Sequence, residues 1–147
     1  MDKIKNHTVV FLFDEDTKCV LLQLKDRGPF IGKLNGVGGK FEEGETALQC
    51  MLREVEEETG VTDIRGIHWL GQLILPNDEP DGPKIGLDFF CGKIYGRNVN
   101  PPKDAEIVSF YQPQQILEAG ADQPNLAGSG DVWYFLRMAC QHYGYAD

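Results

Sequence analysis

Residues 39–61 read GKFEEGETALQCMLREVEEETGV. They leave a glycine-rich turn containing Gly36, Gly38 and Gly39, pass an acidic patch and settle into helical periodicity. With Leu48 set at zero and successive residues about 100° apart, Met51, Leu52 and Val55 point in nearly one direction and form one apolar stripe. The spacing predicts a helix over Thr46–Thr59, with Thr46 or Glu45 near its start and Gly60 where a C-terminal cap belongs. Glu54 and Glu58 stand four apart and adjoin on one face at the edge of the stripe, with Glu57 beside them. Like charges at that spacing repel, and a divalent cation would relieve them. Mg²⁺ suits the set because it takes carboxylate oxygens, usually a few of them together with substrate phosphates.

Upstream, His7–Phe13 and Lys18–Leu24 are β-rich runs about the turn Asp14-Glu15-Asp16, which is a hairpin pattern. Lys25-Asp26-Arg27-Gly28-Pro29 breaks the second run, and a short extended piece near Leu34–Val37 leads into the glycine turn. Downstream, Ile64–Leu75 and Lys84–Tyr95 read as paired long strands, joined by a polar loop from Pro76 to Pro83 that is rich in proline. Asn98–Lys103 connects to a strand over Glu106–Tyr111, and Pro113–Glu118 follows as a short helix. Ala119–Gly130, rich in glycine, alanine and polar residues, is expected as a loop over the site. Asp131–Tyr143 closes the chain as an amphipathic helix with Asp131 near its start. Strands first, a helix inserted, mixed strands next and a helix last imply an α/β fold, an α/β/α sandwich on a mixed central sheet.

The 147 residues suffice for a single domain with a sizeable core, expected to span 1–147. Hydrophobic content of 41% and charged content of 25% are those of a soluble globular protein. A net charge of −9 argues against a nucleic acid polymer as partner, since phosphate neutralisation needs clustered Lys and Arg. It leaves room for a small phosphorylated ligand, because a metal can supply the local positive charge. Cys19, Cys50, Cys91 and Cys140 are widely spaced, without the pairs that hold zinc, and three of them sit in apolar runs, so they read as buried free thiols. The apolar run Val9–Phe13 is too short for a signal-peptide core, and no segment approaches a membrane span, so a cytoplasmic setting is the expectation and a membrane partner is not.

The spacing in residues 39–61 carries a resemblance. Gly39, then Glu45, then Arg53-Glu54-Val55-Glu56-Glu57-Glu58-Thr59-Gly60-Val61 resembles the complete Nudix box of the Nudix hydrolases, with every fixed position matched. The family implies the same sandwich fold and a metal-dependent hydrolase acting on a small nucleotide, with Mg²⁺, or Mn²⁺ in its place, as cofactor. Cleaving a pyrophosphate linkage requires neutralised phosphate oxygens and an oriented water. The helix face of Glu54, Glu57 and Glu58, with a carbonyl of Gly38 or Gly39, offers the metal ligands. Glycine there lets the backbone approach closely. Arg53 can pair with Glu57 four residues on, and the resemblance implies that it orients a catalytic carboxylate. Family members use the residue matching Glu54, the one matching Glu45 or a distant acid as general base; Glu54 is favoured here.

Other positions resemble the MutT-like hydrolases of oxidised purine nucleoside triphosphates. Val20–Gly28 is similar to their strand and basic turn, where the lysine matching Lys25 lies near the phosphates. Leu34-Asn35-Gly36-Val37-Gly38-Gly39-Lys40 is similar to their glycine loop; the resemblance implies that Asn35 reads the base and adds Lys40 to the substrate-binding set. Asp131-Val132-Trp133-Tyr134-Phe135 is similar to their Asp-led helix start, where the aspartate hydrogen-bonds the base. Glu106 resembles an additional metal or catalytic acid. Leu34 and Pro29 depart from that branch, standing where it carries a tryptophan and a pocket phenylalanine. The reaction implied is nucleoside triphosphate and water giving the monophosphate and pyrophosphate. Two other readings remain. ADP-ribose hydrolases of the family often carry a proline after the box, and Pro76 lies fifteen positions beyond Val61; a Nudix-fold regulator binds a nucleotide without cutting it.

Overall fold

The computed structural model describes residues 4–76 and 81–146; the Asn77–Pro80 part of the proline-rich loop lies outside them. Val9-Val10-Phe11-Leu12-Phe13 is apolar without alternation, the pattern of a strand buried on both faces. It forms the centre of β1 (Ile4–Asp14). Val9, Phe11 and Phe13 enter one core while Val10 and Leu12 enter another, because successive side chains on a strand point to opposite faces.

β1 runs parallel to β6 (Lys84–Ile94) over its whole length. Its other edge is shared by two antiparallel partners. Leu12 and Phe13 face β2 (Val20–Leu24), and His7–Val10 face β4 (Val37–Lys40). The expected hairpin therefore exists with a shorter second arm: Lys18 sits at φ 65°, outside strand geometry, and pairing starts at Val20. β3 (Leu34–Asn35) and β7 (Val108–Tyr111) both pair with β2, while β5 (Arg65–Leu75) pairs with β6 as expected. β7 begins two residues beyond Glu106, whose carboxylate is engaged elsewhere. Among the described residues seven strands make one mixed sheet.

α1 (Ala47–Thr59) covers one face, with Met51 and Val55 against Val10, Leu12 and Phe90. α3 (Asp131–Tyr143) covers the other, with Val132, Leu136, Ala139 and Cys140 in the core of Val9, Phe11 and Phe89, and α2 (Pro113–Glu118) packs beside it. The architecture is the α/β/α sandwich. Among the described residues no helix is long and apolar enough to cross a membrane.

Two features of α1 refine the expectation. Thr46, not Glu45, is the N-cap: its side chain accepts from the Gln49 amide at 3.1 Å, and the Gln49 side chain accepts from the Thr46 amide at 2.9 Å. The buried stripe is also rotated. Leu48 and Leu52 remain 44% and 39% exposed, and the inward face is Cys50, Met51, Glu54 and Val55. Glu54 thus lies within the buried face rather than at its edge. The reason is tertiary: α1 packs over β4, where Gly38 and Gly39 have no side chains, so a carboxylate with a cationic partner fills the space.

Candidate active site

Arg53 is the hub of the acidic cluster. Its Nε and Nη2 donate to the two oxygens of Glu45 at 2.6 and 2.9 Å, a bidentate fork. Nη1 donates to Glu54 at 2.9 Å and Glu57 at 3.1 Å, and Nη2 also donates to the Lys40 carbonyl at 3.0 Å. Glu42 stands 3.6 Å from the guanidinium. This one side chain ties the helix to the loop before it and to the end of β4. The hydrogen bonds from Arg53 hold the Glu45 carboxyl down at about 2, whereas burial pushes the Glu54 carboxyl up despite the same guanidinium.

Gly39 lies close against Glu54. A Cβ there would meet the Glu54 carboxylate at 2.5 to 2.6 Å, so any side chain at this place would push that carboxylate out of its position. The Gly39 carbonyl faces α1, with Cys50 Sγ at 3.7 Å. Glu58 is held from the sheet: Gln23 Nε2 donates to its Oε2 at 2.9 Å. Just past the end of β2, Lys25 Nζ donates to Glu106 Oε1 at 2.7 Å, and the Asp26 amide donates to Glu106 Oε2 at 2.5 Å. Glu106 is buried and serves here as the anchor of the basic turn. Among the described residues no group of three or more His, Cys, Asp and Glu stands ready as a metal cage; Glu57 is exposed and turned to Arg53.

Beside this cluster lies a cleft of about 600 Å³. Lys25, Asn35, Gly38, Gly39 and Asp131 all line it, so the structure gathers residues far apart in the chain. Lys40 is not among its lining residues but pairs with His7, which is. Asn35 Oδ1 accepts from the Gly36 amide at 2.8 Å, which leaves its NH₂ as the donor end. Asp131 does not cap α3; Gly130 occupies that position, and Asp131 Oδ1 accepts from the Ser129 amide at 3.0 Å. Ala127, Gly128 and Ser129 bring the 119–130 loop to the cleft wall, and Leu34 is bridged to Leu126 beneath it.

Several lining residues carried no functional signal in the sequence. Leu73, Leu87 and Phe89 supply an apolar floor, and Phe30 stands next to Pro29 at the wall. Phe30 returns aromatic surface one position after the departure at Pro29. His7 is pushed below its ordinary value mainly by burial, with Lys40 and Lys5 adding to it and a hydrogen bond to the Lys5 carbonyl opposing. Trp133 and Phe135 are core instead: Trp133 Nε1 donates to the Leu117 carbonyl at 3.0 Å, and Phe135 stacks on Phe89 at 3.9 Å. Gln23 had a legible signal, being one amide in the apolar run VLLQL, since a buried amide needs a partner.

The model of the NUDIX domain matches residues 3–128, and the chain belongs to that family. An ADP-ribose pyrophosphatase of Methanocaldococcus jannaschii is 28% identical over 116 residues, 78% of this chain and 66% of the relative. An oxidized purine nucleoside triphosphate hydrolase of Danio rerio is 46% identical over 54 residues, 37% of this chain and 34% of the relative. The chain thus spans about two thirds of the first relative's length and one third of the second's. Among solved structures, a MutT protein from Methanosarcina mazei has a TM-score of 0.72 at 21% identity, covering 97% of this chain and 96% of that one. The NUDIX domain of Shewanella oneidensis NrtR, complexed with ADP ribose, has a TM-score of 0.69 at 17% identity, covering 97% and 89%. These two likenesses concern the fold alone.

Members of the family generally use divalent metal ions, and the residues here fit one. Gly39 lies against the Glu54 carboxylate, and Glu58 stands one turn further along α1, held by Gln23. An all-oxygen donor set of this kind suits a hard cation.

Proposed function

We propose that this chain is a Mg²⁺-dependent hydrolase that converts a nucleoside triphosphate and water to the monophosphate and pyrophosphate, working as a single domain over residues 1–147. The observation that carries the proposal is the buried Glu54 carboxylate against Gly39, at the edge of a cleft sized for a nucleoside. When bound, the cation supplies neutralisation of the phosphate oxygens. Glu54, Glu58 and the carbonyls of Gly38 and Gly39 hold it, with Glu57 within reach of the same face. Glu54 is favoured as the base over Glu45, both of whose oxygens are bound by Arg53. Lys25, anchored by Glu106, offers its charge to the phosphates, with Lys40 at the rim. Asn35 supplies a donor and Asp131 an acceptor, a pair that matches the edge of a purine. The oxidised-purine reading is supported by the 46% identity to the Danio rerio hydrolase over 54 residues.

ADP-ribose is the second reading, favoured by the longer match to the Methanocaldococcus jannaschii pyrophosphatase, over 78% of this chain. Leu75, the residue before Pro76, lines the cleft. A binding module is the third. The test is pyrophosphate and phosphate release, with Mg²⁺ and with chelator, across ordinary and oxidised deoxynucleoside triphosphates, ADP-ribose and a dinucleoside polyphosphate. We expect metal-dependent pyrophosphate release, fastest for an oxidised purine, and a changed substrate ranking in Asp131→Ala. Turnover of ADP-ribose alone would replace the proposed substrate, and nucleotide binding without turnover would leave a binding module.

A further inference from the structure

Gln23 has no place in the proposed chemistry, yet it is a fully buried amide at 1% exposure, surrounded in sequence by leucines. Its NH₂ faces Glu58 Oε2 at 2.9 Å, an assignment the chemistry fixes, because a carboxylate only accepts. Two residues on, just past the end of β2, Lys25 makes a contact to Glu106 at 2.7 Å. The two contacts differ in charge. Lys25 forms an ion pair with Glu106, and Arg53 with Glu45, Glu54 and Glu57. A neutral amide orients Glu58 without forming an ion pair with it, while Arg27 acts on it only through its field. A lysine or arginine at position 23 would compete with a cation for the same carboxylate.

We propose that Gln23 is a positioning residue for the metal site: its amide fixes Glu58 in the orientation that ligates the cation without forming an ion pair with the carboxylate. The inference rests on the metal assignment made above and adds to it a sheet residue outside the box. Carboxylates that ligate metals are commonly held by such hydrogen bonds, and losing one costs about tenfold or more in affinity. The interaction also explains why an otherwise apolar strand admits one amide at this place.

The test is Mn²⁺ titration of the full chain without nucleotide, followed by the electron paramagnetic resonance signal of the free ion. The variants are Gln23→Met, which keeps the length and loses the donor, and Gln23→Asn, whose amide is one methylene short. Glu58→Gln is the reference, and unfolding curves establish that each variant is folded. We expect Mn²⁺ affinity to fall about tenfold in both Gln23 variants. The Mg²⁺ concentration for half-maximal pyrophosphate release should rise in step, with kcat largely recovered at saturating Mg²⁺. A purely structural role for Gln23 would lower kcat or stability without moving that half-saturation. Mn²⁺ affinity within about twofold of wild type in a folded Gln23 variant, with Glu58→Gln weakened, would overturn the inference alone. Unchanged binding in Glu58→Gln would overturn the assignment of Glu58 as a ligand and the inference with it. A substrate other than the one proposed leaves the Mn²⁺ readout untouched.

Discussion

Arg53 grips Glu45 through Nε and Nη2 while Nη1 reaches Glu54 and Glu57, so three glutamates share one cation on unequal terms. Glu45 gains most, and its carboxyl falls from 4.5 to about 2. The sign of the pH effect follows. The folded state binds fewer protons than the unfolded state between those values, so the ion pair's contribution is complete above about pH 4.5 and is lost as pH falls towards 2. We expect the difference in urea midpoint between wild type and Glu45→Gln to be constant near neutrality and to close over that acid range. A gap that stays constant through the range would mean that Arg53 is not what holds Glu45. Spacing alone offered Arg53 the partner four residues on, Glu57. The fork on Glu45 depends on the loop folding back, which periodicity does not encode.

At the scale of elements, α1 combines a sequence-encoded start with a tertiary rotation. The capping box of Thr46 and Gln49 satisfies two amides at the helix start. Thr46→Ala should destabilise the protein by about 1 kcal/mol, measured by chemical denaturation, whereas a change near zero would mean that water replaces the cap without cost. The helix ends were legible: α1 runs Ala47–Thr59 and Gly60 closes it at φ 76°. The buried face was not, because hydrophobicity alone placed Leu48 and Leu52 inward. The glycine strand beneath turned Glu54 inward instead, and the two leucines stayed at the surface. β2 shows a similar division, since its apolar run is visible while the partner of Gln23 lies 35 residues away on another element.

The whole molecule is layered about β1, buried on both faces, and its thiols report that layering. Cys50, Cys91 and Cys140 are buried and Cys19 is only half-buried. Burial pushes the Cys91 thiol up and the Cys140 thiol up to about 12, with the neighbouring Cys91 adding to the latter. The thiolate is the reactive form. In native protein at mild alkaline pH a thiol reagent should modify Cys19 rapidly and the other three slowly, with all four reacting in denaturant, as read by mass spectrometry. Fast native labelling of Cys140 would mean that α3 opens from the sheet. By itself the sequence determined the sandwich, the family and the acidic helix, because strand and helix periodicity, caps and the box spacing are local properties written in consecutive residues. It also determined that Asn35 and Asp131 were candidates. Only the tertiary structure decided that they share a cleft with Phe30 and His7, that Glu106 anchors Lys25, and that Glu58 is held by Gln23. Those pairings join residues far apart in the chain, and their geometry comes from how helix and sheet pack, which no local pattern specifies.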